Sequence, residues 1–195
     1  LEKKIAILGG STTSEIKNTI EVFLLKEGIK PIFYESEYNK YYEDALFSEE
    51  LIKFNPEIIY IHTNIRNIDN FASIGFSEEE NKKRLHIEKE KFKKIWENLF
   101  SKFSCVIIQN NFENPQCRFI GNSSAYLDGG KVNFINKLNM YFSESTKKYK
   151  KLYINDIQYI SSLIGLENWY DNSLWFNYKY AMSFKGMAYL SHSVS

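Results

Sequence analysis

Residues 5–14 read Ile-Ala-Ile-Leu-Gly-Gly-Ser-Thr-Thr-Ser, an apolar run followed by two glycines and a cluster of hydroxyl residues. This pattern predicts a buried strand, a tight turn and the start of a helix. Such a turn directs backbone N–H groups and the positive end of the helix dipole at one point, which suits an anion, an oxyanion or a nucleophilic serine at Ser11. Thr12 and Glu15 also fit an ordinary capping box. The turn is therefore either a helix cap or a reactive centre.

Length and charge narrow the class of protein. The chain has 195 residues and a mass of 23.0 kDa, which is enough for one α/β domain with a full core and short for two. We therefore expect a single domain over residues 1–195. The formal net charge is +1, from 25 Lys and Arg against 24 Asp and Glu, so no overall field attracts nucleic acid or an anionic membrane. No apolar run approaches the roughly 20 residues of a membrane helix.

The two cysteines, Cys105 and Cys117, are too few for a disulfide framework and favour a reduced, cytoplasmic setting. The chain begins at Leu1 without an initiator methionine and stops at Ser195 inside a helical pattern. We therefore expect the amino-terminal piece of a longer protein, with a further domain after it. We expect neither a cofactor nor a metal.

Hydrophobic periodicity divides the chain into alternating strands and helices. The predicted strands cover residues 4–9, 30–35, 57–64, 104–108 and 152–154, and the predicted helices cover 15–26, 48–54, 77–103, 131–148 and 183–195. This alternation implies right-handed crossovers and a five-stranded parallel sheet with helices on both faces, a three-layer α/β/α fold. Ligands of such sheets bind at the carboxyl ends of the strands. Four polar segments should meet there: 9–13, 36–42, 62–66 and 109–115.

The turn lacks the third glycine of a dinucleotide fingerprint and the lysine of a P-loop, so nucleotide binding is disfavoured. The sequence Gly9-Gly10-Ser11 instead resembles the first block of the SGNH (GDSL-type) hydrolases, with glycine where that family has aspartate. Asn39 stands where the second block has glycine, and His62-Thr63-Asn64-Ile65 resembles the third block. The resemblance implies a flavodoxin-like fold in which Ser11 is the nucleophile. The main chain of Asn39 and the side chain of Asn64 would donate hydrogen bonds to an oxyanion.

The fourth block of the SGNH hydrolases, Asp-x-x-His before the last helix, is incomplete. Ser183-Phe184-Lys185-Gly186 matches the Ser-x-x-Gly that follows it, which puts Tyr178 at the Asp position and Ala181 at the His position. The usual general base is absent, and a neutral serine hydroxyl is a weak nucleophile without one. His62 ends the strand predicted beside the first strand and could replace the base. The other interpretation is a histidine that is packed and hydrogen-bonded at the strand end.

Further stretches are similar to the amino-terminal domain of FkbH-like proteins. They are Tyr38-Asn39-Lys40-Tyr41, Phe54-Asn55-Pro56-Glu57, Gln109-Asn110-Asn111-Phe112-Glu113 and residues 175–186. This resemblance implies that a HAD-type phosphatase-like domain follows, and that the partner is an acyl-carrier protein loaded with a glyceryl unit from a phosphorylated glycerate. The present domain would then handle an acyl or glyceryl substrate or contact the carrier.

Other side chains near the predicted site suit a substrate. Arg66 could clamp a carboxylate or phosphate through its fork of donors, or form a surface salt bridge. Cys117 is a competing nucleophile in a polar loop. The candidate substrate-binding residues are Gly10, Tyr38, Arg66, Asn110, Trp175 and Lys179, and the candidate catalytic residues are Ser11, Asn39, His62 and Asn64.

Three functions remain open from the residues. The leading hypothesis is an SGNH-like accessory domain of an acyl- or glyceryl-transfer protein, weak or inactive as a hydrolase by itself. One alternative is a working serine esterase or deacetylase that uses a non-standard base. The other is a non-catalytic docking module for a carrier protein.

Overall fold

A central parallel sheet organises the protein, whose computed structural model describes all residues, 1–195. The strand order is β2-β1-β3-β4-β5, and all neighbouring strands are parallel. The strands are β1 (Glu2–Gly9), β2 (Lys30–Glu35), β3 (Ile58–His62), β4 (Val106–Asn110) and β5 (Leu152–Asn155). The predicted five-stranded α/β fold is confirmed.

Helices cover both faces of the sheet. They are α1 (Ser14–Lys26), α2 (Tyr41–Phe47), α3 (Glu49–Phe54), α4 (Glu78–Lys102), α5 (Lys131–Lys148), α6 (Ile157–Ile164), α7 (Leu166–Trp169), α8 (Asn172–Tyr178) and α9 (Phe184–Val194). Short 3-10 turns lie at Ile65–Asn67 and Gly121–Ala125. None of the helices combines the length and the apolar character needed to span a bilayer.

Two apolar cores lie on opposite faces of the sheet. Successive side chains of a strand alternate between the faces, so Ile59 and Ile61 of β3 belong to the core under α4 and α5, and Tyr60 belongs to the core under α1 and α9. His62 follows Tyr60 by two residues and therefore lies on the side of α1 and α9. This places an ionisable ring on the same side of the sheet as the first helix.

The structure differs from the prediction in three places. One is the stretch between β5 and α9, where α6, α7 and α8 were not predicted. The second is the stretch 36–42, which was expected to be a loop, but α2 begins within it and buries Tyr41, Ala45 and Leu46. The third place is β4, which lies two residues later than predicted. Asn110 is therefore a buried strand residue and not part of the exposed loop.

Candidate active site

The turn after β1 is held by the neighbouring strands. The Gly9 N–H donates to the hydroxyl of Ser36, at the end of β2, over 2.7 Å. The Gly10 N–H donates to the main-chain oxygen of His62, at the end of β3, over 2.8 Å. These bonds place Ser11 where the carboxyl ends of three strands meet, as predicted for a ligand site in a parallel sheet.

No side chain caps α1. The Thr12 hydroxyl donates to the main-chain oxygen of Tyr178 over 2.7 Å, and the Thr13 hydroxyl donates to Oε1 of Glu35 over 2.7 Å. The interpretation of Thr12 as the cap of a capping box is therefore wrong. No side chain accepts a hydrogen bond from the first N–H groups of α1. These groups therefore have no competing side-chain acceptor if a negatively charged group binds there.

The Ser11 side chain is buried, with 1% of its surface exposed. Its hydroxyl has no hydrogen-bond partner among the protein atoms. A serine becomes a strong nucleophile when a base accepts its proton across a hydrogen bond of about 3 Å. No such base contacts Ser11 in this structure.

Asn67 connects the predicted donors, although the sequence did not single it out. Its Oδ1 accepts from the main-chain N–H of Asn64 at 2.9 Å and from the Asn64 side chain at 3.0 Å. Its Nδ2 donates to the oxygen of Gly10 at 2.8 Å and to Oδ1 of Asn39 at 3.1 Å. One buried amide thus fixes the ends of β1 and β3 and the loop after β2 relative to each other. The only signal in the sequence was the Asn-x-x-Asn spacing of the turn.

Asn39 and Gly10 show why the family pattern is changed in this chain. The backbone of Asn39 has a φ of 60°, the left-handed conformation that glycine adopts most easily and asparagine tolerates. A Cβ on Gly10 would lie 2.3 Å from Oδ1 of Asn67. The Asn67 amide therefore occupies the space into which a side chain at position 10 would project.

His62 is fully buried and forms hydrogen bonds away from Ser11. Its Nδ1 lies 3.0 Å from Nδ2 of Asn110 and 3.0 Å from the hydroxyl of Tyr60. An amide nitrogen only donates, so Nδ1 is the acceptor and Nε2 carries the proton. Burial lowers the pKa of His62 to about 4, and its Nε2 has no partner. The ring is neutral near pH 7 and makes no hydrogen bond to Ser11.

The network around His62 continues across the sheet. Asn155 of β5 donates to Oδ1 of Asn110 at 2.8 Å, and Ser193 of α9 donates to Oδ1 of Asn155 at 2.7 Å. Asn110 was predicted to bind substrate, but its side chain is fully buried within this network.

The two positions at which the SGNH family has its Asp and His contribute only main-chain oxygens to the site. The Ala181 oxygen accepts from Nη1 of Arg66 at 3.4 Å, and the Tyr178 oxygen accepts from Thr12. Neither Tyr178 nor Ala181 offers a histidine or a carboxylate in place of the missing base.

Arg66 lies under the aromatic segment that follows α7. Its guanidinium carbon is 4.2 Å from the ring centroid of Trp175 and 5.5 Å from that of Tyr170. The arginine separates two cavities. One, of about 510 Å³, includes Asn39 and Asn67 in its lining, and the other, of about 340 Å³, includes Tyr170 and Cys117. Arg66 is thus available to ligands on either side of the turn.

Glu113 is a second site residue that the sequence did not single out. Its carboxylate is fully buried, and Oε2 accepts from the N–H of Ile65 at 3.1 Å, directly after Asn64. Oε1 has no partner. Burial raises the pKa of Glu113 to about 7, although the Ile65 N–H and the nearby charge of Arg66 act in the opposite direction. The group supports the turn that carries Asn64 and Arg66.

The other candidate residues lie at the surface. Tyr38 is half-exposed, beside Asn39. Lys179 has a φ of 61°, and its ammonium lies 5.6 Å from the ring of Trp175. Cys117 is a free, exposed thiol at the rim of the smaller cavity. The structure therefore brings Ser11, Asn39 and Asn64 to one place, connected through Asn67, and leaves their catalytic roles as predictions.

Residues 4–195 match the family model described as FkbH, N-terminal domain. The chain belongs to this family. The resemblance predicted from its motifs is confirmed over nearly the whole sequence. A comparison of this FkbH N-terminal domain with curated proteins gives no match.

Solved structures share the fold of the FkbH N-terminal domain. One is the N-terminal part of the protein BF1531 from Bacteroides fragilis, described as containing a phosphatase domain complexed with Mg, with a TM-score of 0.83 and 16% identity. The match covers 99% of this chain and 50% of that chain, so the FkbH N-terminal domain spans half the length of that protein structure.

Two further matches are enzymes acting on acetyl esters by their names. Axe2, an acetylxylan esterase from Geobacillus stearothermophilus, has a TM-score of 0.59 and 13% identity, and the match covers 98% of this chain and 92% of that chain. The catalytic domain of peptidoglycan O-acetyltransferase A from Streptococcus pneumoniae has a TM-score of 0.53 and 12% identity, with 99% and 90% covered. At these identities the likeness shows a shared fold alone, and the predicted SGNH-like fold is confirmed.

Proposed function

We propose that this FkbH N-terminal domain is an accessory domain of an acyl- or glyceryl-transfer protein, that it acts with an acyl-carrier protein, and that it is weak or inactive as a hydrolase by itself. The observation that carries the proposal is that Ser11 is buried and lacks a base in contact with its hydroxyl. This residue stands at the predicted nucleophile position, and its turn is tied through the Gly10 oxygen to the amide of Asn67. Oxyanion-type donors can hold the carbonyl of a bound acyl group without a nucleophile that cleaves it.

The rest of the transfer reaction belongs to a linked HAD-type domain in this proposal. The Bacteroides fragilis structure supports this division, because it contains a phosphatase domain and about half of it lies outside the match to this chain. The setting is cytoplasmic, in keeping with two cysteines, Cys105 and Cys117, that are both free.

The substrate is an acyl or glyceryl group that carries an anionic or hydroxylated end. Arg66 supports this choice, because its guanidinium borders both cavities next to the Asn39 and Asn67 amides. A planar guanidinium recognises carboxylate and phosphate oxygens through paired donors.

A fluorophosphonate probe tests whether Ser11 is a working nucleophile. We expect the wild-type domain and the Ser11→Ala variant to label equally, at the level of a Ser143→Ala control that alters an exposed serine of α5. Labelling that disappears only in Ser11→Ala would contradict the proposal and favour an esterase.

One observation favours the esterase as a second candidate. The hydroxyl of Ser11, in the turn after β1, and Nε2 of His62, at the end of the adjacent strand β3, are both buried and unpartnered. As a base, His62 would have to move its proton from Nε2 to Nδ1, so that Nε2 can accept the proton of Ser11. A small rearrangement on substrate binding could join them. If this candidate is right, Ser11-dependent labelling will be lost in His62→Gln and will increase as pH rises through the pKa of His62, about 4.

A further inference from the structure

Exposed aromatic rings lie next to the Ser11 turn. Tyr178 stacks on Tyr180 with 5.7 Å between ring centroids, and Tyr180 contacts Phe184 edge-on at 6.2 Å. Tyr178 is 58% exposed and Phe184 is 59% exposed. We call these three rings, with Lys179 and Lys185, the aromatic patch. Large aromatic side chains that remain exposed in a contiguous group are typical of interaction surfaces.

The aromatic patch carries uncompensated positive charge. From Asn172 to Ser195 the chain contains Lys179 and Lys185 and no aspartate or glutamate, although acidic residues are frequent elsewhere. Neither Lys179 nor Lys185 forms an ion pair with a carboxylate, whereas ten other lysines of the protein do. Lys147 and Lys150, at the opposite ends of the strands, are unpaired as well and allow a comparison. A segment whose only charged side chains at neutral pH are two lysines complements an acidic partner.

The aromatic patch is joined to the candidate site through the backbone. The main-chain oxygens of Tyr178 and Lys179 accept hydrogen bonds from the hydroxyl and the N–H of Thr12, at 2.7 Å and 3.1 Å. Thr12 directly follows Ser11. A partner seated on the patch would therefore lie within a few residues of the nucleophile position.

We propose that the aromatic patch is the docking surface for an acidic acyl-carrier protein. The proposal rests on the function proposed above and adds the place and the chemistry of the contact. Lys179 and Lys185 pair with carboxylates of one helix of the carrier, and Tyr178 and Phe184 pack against its apolar side chains. This orientation directs the arm that bears the acyl group towards the Ser11 turn.

The test measures the dissociation constant of the domain for a purified bacterial acyl-carrier protein in its phosphopantetheinyl form, by isothermal titration calorimetry. We expect wild-type binding to weaken as salt increases, because charges at the edge of an interface are screened. The double variant Lys179→Asn with Lys185→Glu should bind about tenfold more weakly or worse, and so should Phe184→Ser. Asparagine suits the positive φ of Lys179, so the first variant removes charge without backbone strain.

The matched control carries the same charge changes elsewhere. Lys147→Asn with Lys150→Glu alters the end of α5 and the turn before β5, at the opposite ends of the strands, and should bind as the wild type does. Unchanged circular dichroism of every variant shows that folding is retained.

The outcomes separate the two proposals. Carrier binding that the patch variants leave intact would overturn the docking surface and leave the accessory function standing. Binding that is equally weakened by the control pair would show a general charge effect and would also overturn the surface. If the wild type fails to bind the carrier, both proposals fail.

Discussion

Gly10 occupies the position at which the SGNH family has aspartate, and the structure gives a steric reason for the glycine. The Asn67 amide lies where a Cβ would project, and it accepts from Asn64 while it donates to the Gly10 oxygen and to Asn39. In this chain the Asn67 amide connects the turn after β1 with the turn after β3.

The Gly10→Ala variant tests this interpretation. The added methyl group would meet Asn67 atoms that are buried and hydrogen-bonded, so the free energy of unfolding should fall by about 1–3 kcal/mol. Urea denaturation measures the change. Gly75→Ala is the control, because the atom nearest to its Cβ lies 3.7 Å away and the substitution should be nearly neutral. Equal stability of the two variants would contradict the steric role of Asn67.

The residues that lie around the Ser11 turn could be named from the sequence where they belong to family blocks, and their roles stay predictions. Ser11, Asn39 and Asn64 were named from such blocks, and the structure brings them together. Asn67 and Glu113 were not named, because their roles depend on contacts between segments that are distant in sequence. Asn67 reaches Gly10, and Glu113 reaches Ile65, only after the sheet has aligned the loops.

At the scale of elements, the helices that were predicted best are those with a long buried stripe. α5 begins and ends where the pattern of Val132, Ile135, Leu138 and Phe142 indicated. α2 was missed, although the shorter α3 was predicted, because residues 36–42 were interpreted as a polar loop that continues through Tyr41 and Tyr42. α8 was missed for another reason: none of its residues is buried. Hydrophobic periodicity in the sequence indicates a helix only where one face of that helix packs against an apolar core.

The contacts that hold α8 against the rest of the protein can be tested by substitution. None of its residues is fully buried, and its contacts with the rest of the protein include Trp175 on the guanidinium of Arg66 and the hydrogen bonds of Thr12 to Tyr178 and Lys179 at its end. Removal of the cation–π contact by Arg66→Ala should destabilise α8 by about 1 kcal/mol and accelerate amide hydrogen exchange across it several-fold.

Hydrogen exchange followed by mass spectrometry is the measurement, with exchange in α5 as the internal reference. Arg84→Ala is the matched control, because this arginine stacks on Phe76 at 4.1 Å, at the start of α4 and away from α8. Equal exchange in α8 for the wild type and Arg66→Ala would show that Thr12 and the chain connections alone hold the helix.

At the scale of the whole molecule, two buried ionisable groups give stability opposite dependences on pH. Burial raises the pKa of Glu113 from 4.5 to about 7, so the folded state holds its proton more tightly than the unfolded state does. This contribution is complete below about pH 4.5 and is lost as pH rises towards 7. Burial lowers the pKa of His62 from 6.5 to about 4. Its contribution is complete above about pH 6.5 and is lost as pH falls towards 4.

Between about pH 4.5 and 6.5 the two effects oppose each other, and single substitutions should reveal them. Glu113→Gln, which keeps an acceptor for the Ile65 N–H, should make stability rise more steeply with pH than in the wild type. In His62→Gln the free energy of unfolding should instead fall as pH rises. In each variant the slope should differ from that of the wild type by at most about 1.4 kcal/mol per pH unit. Urea denaturation at several pH values measures both slopes. Two variants with the slope of the wild type would show that neither group titrates in this range.

The hydrogen bonds that begin at His62 have a consequence for shortening the protein. They cross the sheet through Asn110 and Asn155 and end at the hydroxyl of Ser193, in the final turn of α9. A version of the domain that ends at His192 would lack Ser193 and would leave Oδ1 of Asn155, a buried side chain at the end of the edge strand β5, without that donor. The carboxyl-terminal trim that usually helps crystallisation would here reach the interior, and a tag or fusion partner is better joined after Ser195 than in place of the last turn.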